Sequence, residues 1–366
     1  MRPIEPAPPQ RVHLSLPLTR PVLAWGLLGL NVLVFVAETL LGGSDNSATL
    51  VKLGAKVNVL IALGDYWRLV TPMFLHIGVM HILVNSYALY ALGPEVEALF
   101  GHARFLSIYL LSGIAGNVMS YAFTPNLSAG ASTAIFGLVG AEMTFFYRQR
   151  EKLGAFGQRR LINILGIIAI NLLLGVSSGA VDNFGHAGGF IGGVVLGWLL
   201  CPDYQVEYGL DVQPQVQDRN SLLRELPGIV LFIVLLIAAA GAVTLQEVQK
   251  PQVKLEQGVQ KLAREDYAGA LPLIEQAAHG LPTSQRAQYL LAANYYALER
   301  YGDAAPAFEA TLQMAPDLPD AYFYLGLSYL QLNRRTEAVT NLQRFLVLES
   351  SGERADQARQ LVSTLQ

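Results

Sequence analysis

The sequence has little charge. Only 14% of its 366 residues are Asp, Glu, Lys or Arg, whereas soluble domains carry roughly 25%. Hydrophobic residues make up 52% of the chain and are concentrated in long runs before Lys250. The formal net charge of −3 leaves no basic surplus for nucleic acid. These absences exclude a nucleic-acid-binding protein and favour a membrane protein whose residues after Lys250 form a soluble helical domain.

Cysteine is scarce as well. Cys201 is the single cysteine, so no intrachain disulfide can form and no cysteine cluster is present to hold a structural zinc ion. Nothing else in the sequence implies a metal or a cofactor, and we expect neither.

Seven apolar stretches predict membrane-spanning helices. The first has 20 residues, enough to cross a hydrocarbon core of about 30 Å. A cleaved signal peptide would have a shorter apolar core of roughly 7 to 15 residues and small residues at its cleavage site, so the first stretch is interpreted as an uncleaved span. The spans lie at approximately 22–41, 78–99, 105–123, 132–147, 161–176, 184–200 and 229–243.

Basic residues predict the orientation. The connections after the third and fifth spans contain no Lys or Arg, whereas the connection after the fourth contains five, and basic loops remain in the cytoplasm. The N-terminus is therefore expected in the cytoplasm, the chain in the cell membrane, and the domain after seven crossings outside. The five residues are Arg148, Arg150, Lys152, Arg159 and Arg160.

The segment after Lys250 contains an internal repeat of 34 residues. This period, with small and aromatic residues at fixed offsets, is typical of tetratricopeptide helical hairpins, and a generic helical bundle is the alternative. Such an array presents a concave surface that suits a protein or peptide partner. The residues that keep the period are Tyr267, Tyr301 and Arg335, then Ala270, Ala304 and Ala338, then Ile274, Phe308 and Leu342.

The predicted fold class is all-α, a polytopic helical bundle followed by helical hairpins. Its expected parts are a cytoplasmic tail 1–20, a six-span core 21–202, a cytoplasmic linker 203–226, a seventh transmembrane helix 227–246 and a repeat domain 251–366.

Three polar stretches interrupt the apolar spans, at 76–85, 130–137 and 185–193. Polar groups in a membrane span are costly, so they indicate function by default. Each stretch begins a span that runs from outside to inside, so all three share one depth. With a rise of 1.5 Å per residue, their polar groups lie within about 10 Å of the outer helix ends, where water can reach them.

Two of these stretches supply a nucleophile and a base. A serine hydroxyl becomes nucleophilic when a base takes its proton, and histidine is the natural base at neutral pH. Ser132 and His186 fit those roles. Glu142 lies deeper and Asp182 lies in a loop, so we predict a two-residue dyad without a third carboxylate.

The remaining stretch supplies hydrogen-bond donors. Asn85 and His81 are four residues apart, hence on one helix face, and we expect them to line an oxyanion hole. Gly189 and Gly193 share a face of the sixth span, where small residues let helices approach closely.

These residues carry a resemblance to the rhomboid family. The family pattern is His-x4-His-x3-Asn, then Gly-x-Ser, then His-x2-Gly-x3-Gly on alternate core helices, with a Trp-Arg pair in the first loop, and the resemblance covers about residues 15–205. One departure is Thr133, where many members have glycine. The matching residues are His76, His81, Asn85, Gly130, Ser132, His186, Gly189, Gly193, Trp67 and Arg68.

The resemblance implies an intramembrane serine endopeptidase that cuts transmembrane proteins near the outer boundary of the bilayer. It implies Ser132 as nucleophile, His186 as general base, and Asn85 and His81 in the oxyanion hole, while Gly130, His76, Trp67 and Arg68 support the site. The alternative is a catalytically inactive rhomboid-like membrane chaperone or scaffold. A solute transporter is disfavoured, because the spans lack paired, interrupted half-helices.

Overall fold

The computed structural model describes residues 18–178, 181–208 and 214–365. Most of the expected tail 1–20 and part of the expected linker 203–226 lie outside these residues. The described part is nearly all helical, as predicted. It divides into two compact units, one up to Val243 and one from Thr244 onward.

The first unit contains seven helices of 17 residues or more among the described residues, one at each predicted span. Four of them, Leu23–Leu40, His102–Phe123, Asn183–Leu200 and Leu222–Glu247, are long and apolar enough to cross a membrane. The long helices are α1 (Leu23–Leu40), α4 (Gly78–Phe100), α5 (His102–Phe123), α6 (Ser132–Arg148), α7 (Arg150–Ser178), α8 (Asn183–Leu200) and α9 (Leu222–Glu247).

The loop between α1 and α4 is folded. It contains the short helices α2 (Ser47–Leu53) and α3 (Asn58–Ala62), followed by two 3-10 turns, Tyr66–Leu69 and Thr71–Phe74. The Arg68 guanidinium is buried here and donates to the carbonyl oxygens of Val51 at 2.7 Å and Ala55 at 3.1 Å. The loop is therefore a packed part of the protein.

The packing of α6 against α8 is backbone to backbone. A Cβ atom on Gly189 would lie 2.0 Å from the carbonyl oxygen of Thr133, and one on Gly193 would lie 2.0 Å from that of Gly137. Real Cβ atoms do not approach so closely, so only glycine fits at these two positions. The predicted close approach of these two helices is confirmed.

Two features on the side of the bundle away from the polar stretches were not predicted. The expected connection after the fourth span is mostly helical, because α7 begins at Arg150 and is broken only at Gly154. The expected linker contains a two-stranded antiparallel hairpin, β1 (Tyr204–Tyr208) and β2 (Pro214–Asp218). Arg104 of α5 binds Asp218 of that hairpin at 2.6 Å.

The second unit is a series of helical hairpins. Residues with positive φ recur every 34 residues, at Glu265, Glu299 and Asn333, which marks the same tight turn in three successive units. Phe308 is fully buried among small and aromatic side chains. The helices of the second unit are α10 (Pro251–Leu262), α11 (Tyr267–Gly280), α12 (Gln285–Ala297), α13 (Tyr301–Met314), α14 (Pro319–Gln331), α15 (Arg335–Leu348) and α16 (Glu353–Leu365).

Candidate active site

Ser132 is the first residue of α6 and is only partly buried. Other helical serines, such as Ser112 and Ser328, donate to the carbonyl oxygen four residues earlier, at 2.5 Å and 2.7 Å. Ser132 has no helical carbonyl four residues before it, and its hydroxyl makes no hydrogen bond among the described residues. Its hydroxyl is therefore available for chemistry.

The segment before Ser132 is fixed by the first loop. Ser128 and Lys56 exchange two backbone hydrogen bonds, of 2.9 Å and 3.2 Å, and the Gly130 N–H donates to the Pro72 carbonyl at 2.8 Å. Gly130 has a φ of +144°, which L side chains rarely adopt. A Cβ atom there would also lie 2.7 Å from the His81 ring and 3.5 Å from Ser132 Oγ. Gly130 thus lets Ser132 and the His81 ring share one space.

His186 lies in the first turn of α8 and stacks on Phe136, with the ring centroids 4.3 Å apart. Phe136 follows Ser132 by four residues, so the His186 ring lies against the face of α6 that carries Ser132. No direct hydrogen bond joins Ser132 Oγ to the His186 ring among the described residues. Such bonds are often long before substrate binds and tighten in the complex.

His81 presents a hydrogen-bond donor to this space. The Ile77 backbone N–H donates to His81 Nδ1 at 3.3 Å, so in the neutral ring the proton is on Nε2. Nε2 is the nitrogen next to Gly130. The His81 Nε2–H group therefore lies on the edge of the ring that is nearest Gly130 and Ser132.

Asn85 lies one turn along α4 from His81, on the same face. Its side chain is buried, and among the described residues its amide nitrogen has no hydrogen-bond partner. A buried unpaired donor costs roughly 1 to 3 kcal/mol. It is tolerated at sites where a ligand or reacting group supplies the missing acceptor.

The other predicted support residues lie around this cluster. His76 is fully buried with its ring 5.5 Å from that of His81, and its backbone N–H donates to Glu38 of α1 at 3.1 Å. Trp67 is half-exposed, with the Arg68 guanidinium 4.4 Å from its ring centroid. These three residues belong to the first loop and its junction with α4.

Thr133, the departure from the family pattern, packs against α5 and α8. Its side chain is buried against two glycines, since a Cβ atom on Gly116 of α5 would lie 2.8 Å from its Cβ and one on Gly185 of α8 would lie 3.1 Å from its Cγ2. Gly116 and Gly185 therefore accommodate the branched side chain.

Sequence reasoning missed the surroundings of Asp182. Its carboxylate accepts hydrogen bonds from Thr124 at 2.9 Å, Ser128 at 2.8 Å and the Gly185 N–H at 2.9 Å, and also from Ser120. Burial acts to raise the pKa of Asp182, but these donors outweigh it and hold the pKa below the usual value. Asp182 is therefore a carboxylate at neutral pH. The only sequence signal was an Asp three residues before a glycine at a helix start.

The fold and the site together define a polytopic helical membrane protein with a serine, two histidines and an asparagine gathered near one end of its bundle. Residues 63–203 match the rhomboid domain family, and residues 289–353 match the tetratricopeptide repeat family. The predicted repeat is thus confirmed.

Two relatives from Bacillus subtilis (strain 168) illustrate the match. The chain is 45% identical to rhomboid protease GluP over 174 residues, 48% of this chain and 34% of GluP. It is 35% identical to the putative rhomboid protease YdcA over 153 residues, 41% of this chain and 75% of YdcA. The chain belongs to the rhomboid family. It spans between about a third and just over half of the length of the first curated relatives it matches.

Among solved structures, the first tetratricopeptide domain of Spaghetti (RPAP3) bound to an HSP90 peptide covers 32% of this chain and 94% of its own. The identity is 21% and the TM-score is 0.30.

Proposed function

We propose that this protein is an intramembrane serine endopeptidase that cleaves transmembrane proteins near the outer boundary of the bilayer. The observation that carries the proposal is the free Ser132 hydroxyl, placed beside the His81 donor and on the helix face against which His186 lies. Membership of a family that contains named proteases adds support.

The first half of the reaction is acylation. His186 takes the proton from Ser132 Oγ, which attacks the scissile carbonyl carbon. The carbonyl oxygen becomes an oxyanion and accepts hydrogen bonds from His81 Nε2–H and Asn85 Nδ2–H, with the Ser132 backbone N–H at the positive end of α6 as a third donor. As the C–N bond breaks, His186 gives its proton to the leaving amine.

The second half is hydrolysis of the acyl-enzyme. A water molecule gives a proton to His186 and attacks the ester carbon, and the same donors hold the second oxyanion. The proton then returns to Ser132 Oγ as the C–O bond breaks, which regenerates the free hydroxyl. Each step uses a group already at the site.

The orientation of the chain is part of the proposal. The site opens to the outside, the N-terminus lies in the cytoplasm and the repeat unit lies outside, where its concave surface holds substrate ectodomains or an adaptor. A tag attached after Gln366 tests this orientation, because its accessibility shows on which side of the membrane the C-terminus lies. We expect a protease added from the outside to digest the tag. Protection of the tag would mean that the chain has the opposite orientation.

The activity is tested in liposomes that contain the purified protein and a labelled transmembrane substrate with a small residue before the cleavage site. Cleavage by the wild type and none by Ser132→Ala is the expected result. Equal cleavage by both proteins would point to a contaminating protease. Binding of membrane proteins without cleavage by either would favour the inactive chaperone or scaffold.

A further inference from the structure

The carboxylate of Asp182 joins three segments of the membrane unit. Ser120 and Thr124 belong to the C-terminal end of α5, Ser128 belongs to the segment that leads to Ser132, and Gly185 belongs to the first turn of α8. All four donate to the one carboxylate, and the hydrogen bonds from Thr124, Ser128 and Gly185 are 2.8 to 2.9 Å long.

The carboxylate and one of its donors each lie four residues before a predicted reactive residue. Ser128 precedes Ser132 by four residues, and Asp182 precedes His186 by four. The Asp182 carbonyl accepts the His186 N–H at 3.0 Å. One side chain therefore fixes the start of α8 and, through Ser128, the approach to Ser132.

An ordinary helix cap does not explain this arrangement. Asp266 in the repeat unit is such a cap, since it accepts the Gly269 N–H at 2.9 Å and otherwise binds the exposed Lys261 ammonium at 2.6 Å. Asp182 accepts the equivalent Gly185 N–H at the same 2.9 Å. It adds three hydroxyl donors from outside its own helix, and those donors tie separate segments together.

Asp182 is also not the third member of a triad. Its carboxylate makes no hydrogen bond to the His186 ring among the described residues, although the two groups are close enough to interact electrostatically. Besides this electrostatic interaction, it acts on the ring through the backbone and through the segments that it holds. A displacement of about 1 Å between reacting groups costs on the order of 100-fold in rate.

We propose that Asp182 is a positioning residue that sets the separation of Ser132 Oγ and the His186 ring by tying the Ser132 segment and the start of α8 to the end of α5. The proposal rests on the proposed function, because the separation matters only if the two side chains react together.

The test is the rate of Ser132 phosphonylation by a fluorophosphonate in the full-length protein. In this reaction Ser132 Oγ forms a bond to phosphorus, fluoride leaves, and His186 accepts the hydroxyl proton. Asp182→Asn keeps one acceptor oxygen for the Gly185 N–H but loses the charge that holds the hydroxyls. We expect the rate constant to fall about 10- to 100-fold, while the final extent of labelling equals that of the wild type.

Rate and extent separate positioning from folding. A fall in extent with an unchanged rate constant would mean that fewer molecules are folded and would overturn the proposal, as would a rate within twofold of the wild type. Asp266→Asn is the matched control and should leave both quantities unchanged. If Asp182→Asn does not accumulate, Ser128→Ala removes one tie and should lower the rate constant by a smaller factor. An unchanged rate in that variant would also contradict the proposal.

Amide hydrogen exchange tests the same ties without any chemistry. In Asp182→Asn, peptides that cover 126–134 and 183–187 should exchange faster than in the wild type, and unchanged exchange would overturn the proposal. If wild-type Ser132 fails to react with the fluorophosphonate, the proposed function fails, whereas the exchange result still decides whether Asp182 holds these segments.

Discussion

Two helix contacts of this protein, one in each unit, are packed in opposite ways. In the membrane unit, α6 meets α8 through Gly189 and Gly193, with room for backbone but not for a Cβ atom. In the repeat unit, large side chains such as Phe308 fill the space between helices, beside alanines such as Ala304. Lipid gives no gain for burying apolar side chains between helices, so close contact and polar groups take over. Water drives burial in the repeat unit.

This difference decides where chemistry can occur. Close contact of α6 and α8 brings the His186 ring against the face of α6 that carries Ser132. The aromatic packing of the repeat unit builds a stable surface from residues near in sequence. Matched variants in the two units therefore separate reaction from structure.

The largest effect on the cleavage rate is expected from substitution of His186, with a histidine of the repeat unit as the control. His186→Ala should lower the cleavage rate by about 10⁶-fold, below detection, because Ser132 loses its base. His279, exposed in the repeat unit, provides the control, and His279→Ala should cleave as the wild type does. Cleavage rates in liposomes measure the activity of both variants. If His186→Ala cleaves at a rate within 100-fold of the wild type, another group acts as the base.

The second-largest effect is expected from substitution of Asn85, with Asn294 of the repeat unit as the control. Asn85 and Asn294 are both buried with an unpaired amide nitrogen among the described residues. Asn85→Ala should lower kcat by about 100- to 1,000-fold through loss of an oxyanion donor, with little change in KM. Asn294→Ala should change only the unfolding temperature. Equal losses of kcat in the two variants would remove the assigned role of Asn85.

The glycines should have a smaller effect, on stability. A Cβ atom on Gly193 would lie 2.0 Å from the Gly137 carbonyl oxygen, whereas nothing lies within 4 Å of one on Gly302 in α13. We expect Gly193→Ala to cost about 1 to 3 kcal/mol of unfolding free energy, and Gly302→Ala to be neutral or slightly stabilising. Thermal unfolding in detergent checks both. A Gly193→Ala protein as stable as the wild type would show that the two helices separate easily.

Much of this fold was predictable from the sequence, and the sequence also named the candidate site residues. Runs of apolar residues located the long helices, and Gly78 marked the start of α4, as the structure also has it. The 34-residue period predicted the repeats. Ser132, His186, His81 and Asn85 were recognisable because polar residues are costly in a membrane span.

The remaining features depend on contacts between distant segments. The hydrogen bonds of Asp182 join residues up to 62 positions apart. An Asp before a helix is usually only a helix cap, so the sequence does not reveal these long-range bonds. The Trp-Arg pair identified Arg68, but only the folded loop shows its guanidinium bound to the carbonyl oxygens of Val51 and Ala55. The orientation of the Thr133 side chain depends on Gly116, which only the packing of α5 places beside it.

The smallest expected effect concerns the repeat unit. Deletion of residues 251–366 should slow cleavage of full-length substrates several-fold while sparing a short transmembrane peptide, because the repeats contribute binding and not chemistry. Competition assays with both substrates in one liposome preparation measure the ratio. Equal slowing of both would mean that the repeat unit supports the membrane unit itself.

The location of a fluorophosphonate adduct, mapped by mass spectrometry of the full-length protein, is the most direct measurement. Ser132 should carry the adduct in the wild type, with none on the hydrogen-bonded serines Ser112 and Ser328, and His186→Ala should carry none at all. An adduct on another serine, or equal labelling of Ser132 without His186, would contradict the account.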